Sequence, residues 1–163
     1  MLAYIVFVLV LIAGDQLFKW YIINNLALGE SMAFIPGLMQ LTYVQNTGVA
    51  FGFLRDFPWI PMVLNPIIIV GLVLLMVRGV ITDKVQRWAM MAIIAGALGN
   101  LIDRFIHGFV IDMFEFLFVR FAIFNLADTF ITLGAVVLVI AFVAEEFRTR
   151  RSQTEETESK GSA

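Results

Sequence analysis

No cysteine occurs in the 163 residues. That excludes disulfides, thiol catalysis and any metal site built on thiolates. There is one histidine, His107, too few for a His-based metal cluster, and no G-x-S-x-G elbow to present a nucleophilic serine. A carboxylate-only Mg or Ca site stays open, but nothing in the sequence requires a metal or an organic cofactor. Charge is scarce: 15% of residues are Asp, Glu, Lys or Arg, and the net charge is −2, so there is no basic footprint for nucleic acid. No internal repeat is visible, which counts against an inverted-repeat transporter. No Lys or Arg precedes the first apolar run, and D-Q-L-F-K-W after it is a poor cleavage site. The run therefore reads as a retained helix, not a cleaved signal peptide.

What is present is apolar. Hydrophobic residues make up 61% of the chain, with 16 Phe, against roughly 45–50% in a soluble domain. The class is an integral membrane protein, all-α, with one peptide-chain domain over residues 1–147 and a charged tail, 148–163, expected to be disordered and cytoplasmic. Four spans are predicted, at about 2–23, 59–77, 88–106 and 124–144, each near the ~20 residues that cross ~30 Å of hydrocarbon. Residues 24–57 lack a span. Pro36-Gly37 marks a turn, Leu38 to Phe53 shows partial alternation, and Asn46-Thr47-Gly48 signals a turn or bulge. A small extracytoplasmic β-sheet is expected there, between helices 1 and 2. Residues 107–123 read as a surface loop or short helix whose Phe side chains lie on the bilayer. Pro66 is expected to kink the second span, with Asn65 before it as a polar contact between helices or a kink partner.

Orientation follows from Lys and Arg in short connections. Arg78, Lys84 and Arg87 lie in one loop and Arg148, Arg150 and Arg151 open the tail, on the same side if there are four spans. That side and both termini are then cytoplasmic. Asp15, Asn46, Asn100, Asp103, Asp112, Asn125 and Asp128 collect near the outer leaflet.

These polar residues interrupt an otherwise apolar chain. An ionisable group in lipid costs about 2.5–3.5 kcal/mol or more and calls for a compensating arrangement. Asn100, Asp103, Arg104 and His107 follow i, i+3, i+4, i+7 and line one helix face; Asn125, Asp128, Thr129 and Thr132 repeat the spacing on another segment. Asp15 and Lys19, at i, i+4, can pair, either as an interfacial pair or as a brace for the site. By elimination the carboxylates are the candidate catalysts. Two close Asp side chains share a proton, so one can act as base on a water while the other acts as acid on a carbonyl. Of Asp103, Asp112 and Asp128, the first is followed at once by Arg104 and reads as a structural ion pair. The favoured dyad is Asp112 with Asp128. Two rival readings remain: buried Asp and Asn that only join helices, as in an assembly factor, and a proton relay in a small transporter or pore subunit.

D-Q-L-F-K at 15–19, N-T-G-V-A-F-G at 46–52, G-A-L-G-N-L-I-D-R at 96–104, G-F-V-I-D at 108–112 and F-N-L-A-D at 124–128 resemble, in order, the sequence blocks of the lipoprotein signal peptidase (signal peptidase II) family. The resemblance covers about residues 5 to 145. It implies a monomeric aspartyl endopeptidase of the bacterial inner membrane that needs no cofactor. Such an enzyme cuts prolipoproteins on the N-terminal side of a diacylglyceryl-modified cysteine, the last-but-one step of lipoprotein maturation. It also implies that Asp112 and Asp128 are catalytic and that Asp15, Lys19, Asn46, Gly48, Asn100, Asp103, Arg104 and Asn125 bind substrate or support the pair. The chain departs from the family's usual residues at Gln45, Val49 and Met113.

Overall fold

An apolar run of twenty or so residues satisfies its peptide groups in lipid only as a helix, and the described residues contain four helices long and apolar enough to span. The structure is a computed structural model that describes residues 2–48, 57 and 59–161, with side chains as far as Arg151. Val49 to Gly52 of the N-T-G-V-A-F-G block, and the expected extension of the sheet to Phe53, lie outside the described residues. The elements are α1 (Leu2–Asn25), β1 (Ser31–Ile35), β2 (Met39–Asn46), α2 (Trp59–Val77), α3 (Lys84–His107), β3 (Val110–Phe116) and α4 (Leu126–Gly161).

Helix α1 has the inverted pattern lipid demands. Its buried residues are Asp15, Lys19 and Ile22, while Leu2, Ile5, Val6, Leu9 and Val10 are exposed. Helix α3 packs against α1, α2 and α4 and is the most buried of the four. Glycines on α3 permit the approach. A Cβ on Gly96 would stand 2.3 Å from the carbonyl oxygen of Ala127 in α4, and one on Gly99 would stand 2.6 Å from Oδ2 of Asp15 in α1.

Helix α3 starts at Lys84, inside the stretch read as a charged loop, because Asp83 caps it. The Asp83 carboxylate accepts from the N–H groups of Val85 (2.8 Å) and Gln86 (3.0 Å). It ends where Gly108, at φ 81°, donates its N–H to the carbonyl of Arg104. Helix α4 begins two residues later than the span predicted from 124, and its helical backbone continues to Gly161 through the stretch whose composition suggested disorder. Glu, Arg, Lys and Gln favour helix, no proline intervenes, and Arg150 pairs with Glu146 at 2.7 Å.

The sheet is antiparallel in the order β1-β2-β3. Its third strand corrects the expectation of a loop or short helix between spans three and four. V-I-D-M-F-E-F alternates, and Ile111 and Met113 enter a core with Ile22, Leu26, Leu41 and Tyr43. That core seats the sheet on the C-terminal end of α1. The β2–β3 register shifts between Leu41 and Val44 and brings Val44 opposite Asp112, a bulge of the kind that re-aims a side chain. On the other edge of β3, Phe124 accepts from the N–H groups of Met113 (3.0 Å) and Phe114 (2.7 Å) and donates to the Phe114 carbonyl (3.2 Å). The chain is thereby fixed just before α4. Leu117, Phe118, Val119 and Phe121 in the connection are exposed.

Candidate active site

The site rests on a buried ammonium. Lys19 is 1% exposed, and each of its three N–H bonds has an acceptor: Asp15 Oδ2 at 2.8 Å, Asp103 Oδ2 at 2.8 Å and Asn100 Oδ1 at 3.1 Å. A buried cation is tolerated only when paired and bonded in this way. The carboxylates tie the elements together. Asp15 Oδ1 accepts from the Ala127 N–H at 2.9 Å, filling one of the free donors at the start of α4. Asp103 Oδ1 accepts from Gln16 Nε2 at 2.9 Å, and its Oδ2 also accepts from the Ile111 N–H at 3.1 Å. Asp103 therefore fastens β3 one residue from Asp112. Its cation partner is Lys19, not Arg104 as the adjacent sequence positions suggested: neighbours on a helix point about 100° apart. Arg104 reaches the other way. Its Nη1 donates to the carbonyl of Asn100 (3.3 Å) and its Nη2 to the carbonyl of Gly48 (3.0 Å).

Lys19 also sets the polarity of the next layer. An ammonium can only donate, so Asn100 must turn its oxygen to Lys19. Its Nδ2 then donates to Asp128 Oδ1 at 2.7 Å. The same Asn100 oxygen accepts from Asn125 Nδ2 at 3.0 Å, and Asn125 Nδ2 donates to Asp112 Oδ1 at 2.6 Å. Asn125 is the N-cap of α4 and Asp128 its third residue. Asn125 Oδ1 accepts from the Asp128 N–H at 2.8 Å, and Asp128 Oδ2 accepts from the Asn125 N–H at 3.3 Å. This is a reciprocal capping box made with Asn and Asp. It fixes the Asp128 carboxylate by the helix start itself. Asp112 Oδ2 accepts from Asn46 Nδ2 at 2.8 Å, while Asn46 Oδ1 accepts from the Gly48 N–H at 3.0 Å and closes the turn after β2.

Asp112 and Asp128 line one cavity of about 520 Å³ with Asn46, Asn100 and Arg104. The rest of its wall is mainly apolar, from Val110, Phe116, Phe121 to Phe124, Ile131 and Leu133. Burial, followed by the charge of Asp128, pushes the Asp112 carboxyl up to about 7, against the smaller opposing effect of its bonds to Asn46 and Asn125. Two carboxyl groups on one partly dry cavity, each held by amide donors, can share a proton near neutral pH and divide acid and base roles. Among the described residues no group of three or more Asp, Glu or His is placed to hold a metal ion.

Ten sequence-predicted residues thus fall into two layers. Asp112, Asp128, Asn46, Asn100 and Arg104 line the cavity, with Gly48 holding the turn; the fully buried Asn125, bridging Asn100 and Asp112, lies behind them with Asp15, Lys19 and Asp103. His107 does not join. It is exposed and stacks on Phe109 with ring centroids 5.7 Å apart. Thr129 and Thr132 do line the cavity. Sequence reasoning missed Gln16, which bonds Asp15, the carbonyl of Gly99 and Asp103. It also missed the buried Gln86, whose Nε2 donates to Glu145 at 2.6 Å between α3 and α4. The capping box carried a legible signal, N-x-x-D before an apolar run.

The chain is similar to known proteins in both sequence and structure. The sequence model of the family described as "Signal peptidase (SPase) II" matches residues 7–144. The lipoprotein signal peptidase of Streptococcus pneumoniae (strain R6) is 42% identical over 141 residues, 86% of this chain and 92% of the relative. That of Streptococcus pyogenes serotype M5 (strain Manfredo) is 40% identical over 143 residues, 88% and 94% of the two chains. Two solved structures, both described as bacterial membrane enzymes determined by the in meso method, superpose closely. The one at 2.3 Å resolution has a TM-score of 0.84 at 28% identity and covers 90% of each chain. The one at 1.9 Å has a TM-score of 0.80 at 29% identity, covering 87% of this chain and 93% of the other.

Proposed function

The chain belongs to the signal peptidase II family, and from that premise we infer that it is a multi-pass bacterial membrane endopeptidase that removes signal peptides from prolipoproteins. Asp112 and Asp128 are proposed as its catalytic pair, with a substrate whose cysteine carries diacylglycerol. The observation that carries this assignment is the pair itself: two carboxyl groups from different elements, β3 and α4, on one cavity, bridged by Asn125 and Asn100.

With one proton on the pair, the ionised carboxylate takes a proton from water as the water oxygen bonds to the scissile carbonyl carbon. The protonated partner donates to the carbonyl oxygen. Collapse of the tetrahedral adduct breaks the C–N bond: the carboxyl that took the water proton gives it to the leaving amine of the modified cysteine, and a hydroxyl of the adduct returns a proton to its ionised partner, which restores the singly protonated pair. The Asn donors keep both carboxyl groups aimed while protons move. Arg104 has guanidinium N–H groups beyond the two used for the Asn100 and Gly48 carbonyls, and these can meet the developing oxyanion. Arg78 after α2, Lys84 and Arg87 in the first turn of α3, and the Arg-rich stretch from Arg148 to Arg151 support a topology with both termini cytoplasmic and the site near the outer leaflet.

The test is cleavage of a lipid-modified precursor by purified protein in detergent. Asp112→Asn and Asp128→Asn should each abolish turnover, and the double variant should be no worse than either single one, because the pair acts as a unit. Near-wild-type turnover by either single variant would remove that residue from the dyad.

A further inference from the structure

The cavity contains two polar side chains that the reaction as described leaves unused. Asn65, half-buried on α2, and Thr132, exposed on α4, both line it. Among the described residues neither has a hydrogen-bond partner. Their surroundings make this informative. Thr129, on the same cavity wall, donates its hydroxyl to the carbonyl of Asn125 at 3.1 Å, and no fully buried side-chain N or O in the described residues lacks a partner. Polar groups in spans are costly and mark sites where something polar passes or binds.

We propose that Asn65 and Thr132 form a polar subsite that holds the backbone of the signal peptide in extended form just N-terminal of the scissile bond. The inference rests on the peptidase reading above. A peptide bond inside a helix has its carbonyl bonded and shielded, so the segment to be cut must be unwound. At membrane depth its freed N–H and C=O groups find no water and need protein partners. Asn65 offers a donor and an acceptor on one amide, the complement of a peptide group; Thr132 offers a hydroxyl that does either. Placement agrees. Thr132 is four residues beyond Asp128 on the same helix, about 6 Å along the axis, which is about two residues of extended chain. With the site near the outer leaflet, that direction leads down α4 into the membrane, where the rest of a signal peptide lies. Asn65 faces the same cavity from α2. The glycerol esters of the modified cysteine are a second possible occupant, but esters only accept, and half of the Asn65 amide would go unused.

The experiment measures kcat and KM for the lipidated precursor with wild type, Asn65→Leu, Thr132→Val and Asn65→Gln. Loss of one neutral hydrogen bond predicts about a tenfold fall in kcat/KM for Asn65→Leu, mainly through KM, with a smaller fall for Thr132→Val. Asn65→Gln should recover part of the loss, which a packing defect would not. Precursors N-methylated at single amides before the scissile bond, and a precursor with ether-linked chains, identify the occupant. One N-methyl position should slow wild type and cause no further loss in Asn65→Leu. Coupling to the ether substrate instead would overturn the peptide assignment. Unchanged KM in Asn65→Leu and Thr132→Val, with an active wild type, would overturn the subsite alone. A wild type that leaves the lipidated precursor uncut would overturn the peptidase reading and the subsite with it.

Discussion

Lys19 and Asp103 differ in what their removal leaves behind. Lys19→Met strands two buried carboxylates, Asp15 and Asp103, without their cation and frees Asn100 to turn its amide. Breaking a buried pair in this way costs about 3–5 kcal/mol, so the variant should unfold at a clearly lower temperature in detergent and lose activity even where folded. Asp103→Asn keeps an oxygen for the Ile111 N–H and leaves Lys19 with Asp15. It should lower the unfolding midpoint less and retain measurable cleavage; a well-folded, wholly inactive Asp103→Asn protein would place Asp103 in the chemistry. Asp112 carries the pH dependence. Its folded carboxyl is raised from the ordinary 3.8 to about 7. Between those values the folded protein holds a proton that the unfolded chain releases, so stability falls as pH rises through this window and is level above it. Activity that needs one shared proton should likewise fall as pH rises past about 7, with an apparent value that belongs to the pair. A profile of kcat/KM against pH checks this, as does the unfolding midpoint of Asp112→Asn, which should show a flatter slope over the same window.

At the level of elements, the four spans were legible because nothing except a helix satisfies twenty apolar residues in lipid. The polar stripes were legible because few residues interrupt those runs. The third strand was less so. Val110–Phe116 has Phe at both Phe114 and Phe116 and sits beside the exposed apolar residues Leu117 to Val119, so its alternation around Asp112 is masked by membrane-facing hydrophobicity. The Lys19–Asp103 bond was illegible, since it joins residues 19 and 103 on different helices, and local spacing favoured Arg104 instead. Gly99 shows how closely the elements depend on one another. A methyl there meets Asp15 at 2.6 Å, and Asp15 both caps α4 and pairs Lys19. Gly99→Ala should cost about 1–3 kcal/mol from overpacking, measured as a lower unfolding midpoint, and reduce cleavage by displacing the start of α4. The far end of α4 is another matter. Truncation after Arg151 removes a segment whose sequence is polar and has no hydrophobic periodicity, and cleavage by the shortened protein should match the full chain within about twofold, since such a composition offers little apolar surface to pack.

Across the whole molecule, the proposed substrate and the position of the site explain each other. The proposed dyad, Asn46 and the sheet sit at the ends of α3 and α4 away from the Arg78–Arg87 stretch. Phe116 and Phe121 to Phe124 line the cavity, and Leu117, Phe118, Val119 and Phe121 of the same connection are exposed, a surface suited to the boundary between headgroups and acyl chains. A diacylated cysteine brings its scissile bond to that depth without further help, because its chains remain in the bilayer. An unmodified precursor lacks this placement. Transfer of two acyl chains from water is worth about 0.8 kcal/mol per CH₂, but most of that cancels when both substrate and enzyme start in one micelle or bilayer. What survives is positioning: the bond is held near the dyad for a larger fraction of encounters, which lowers the entropy lost on reaching the reactive geometry. The unmodified precursor should therefore be cut at least tenfold more slowly than the lipidated one at the same concentration in the same vesicles, with the difference shrinking if a single unrelated acyl chain is attached at the cysteine. Equal rates would mean that the peptide alone finds the site, and that recognition lies in the signal sequence and the walls of the cavity instead of the lipid.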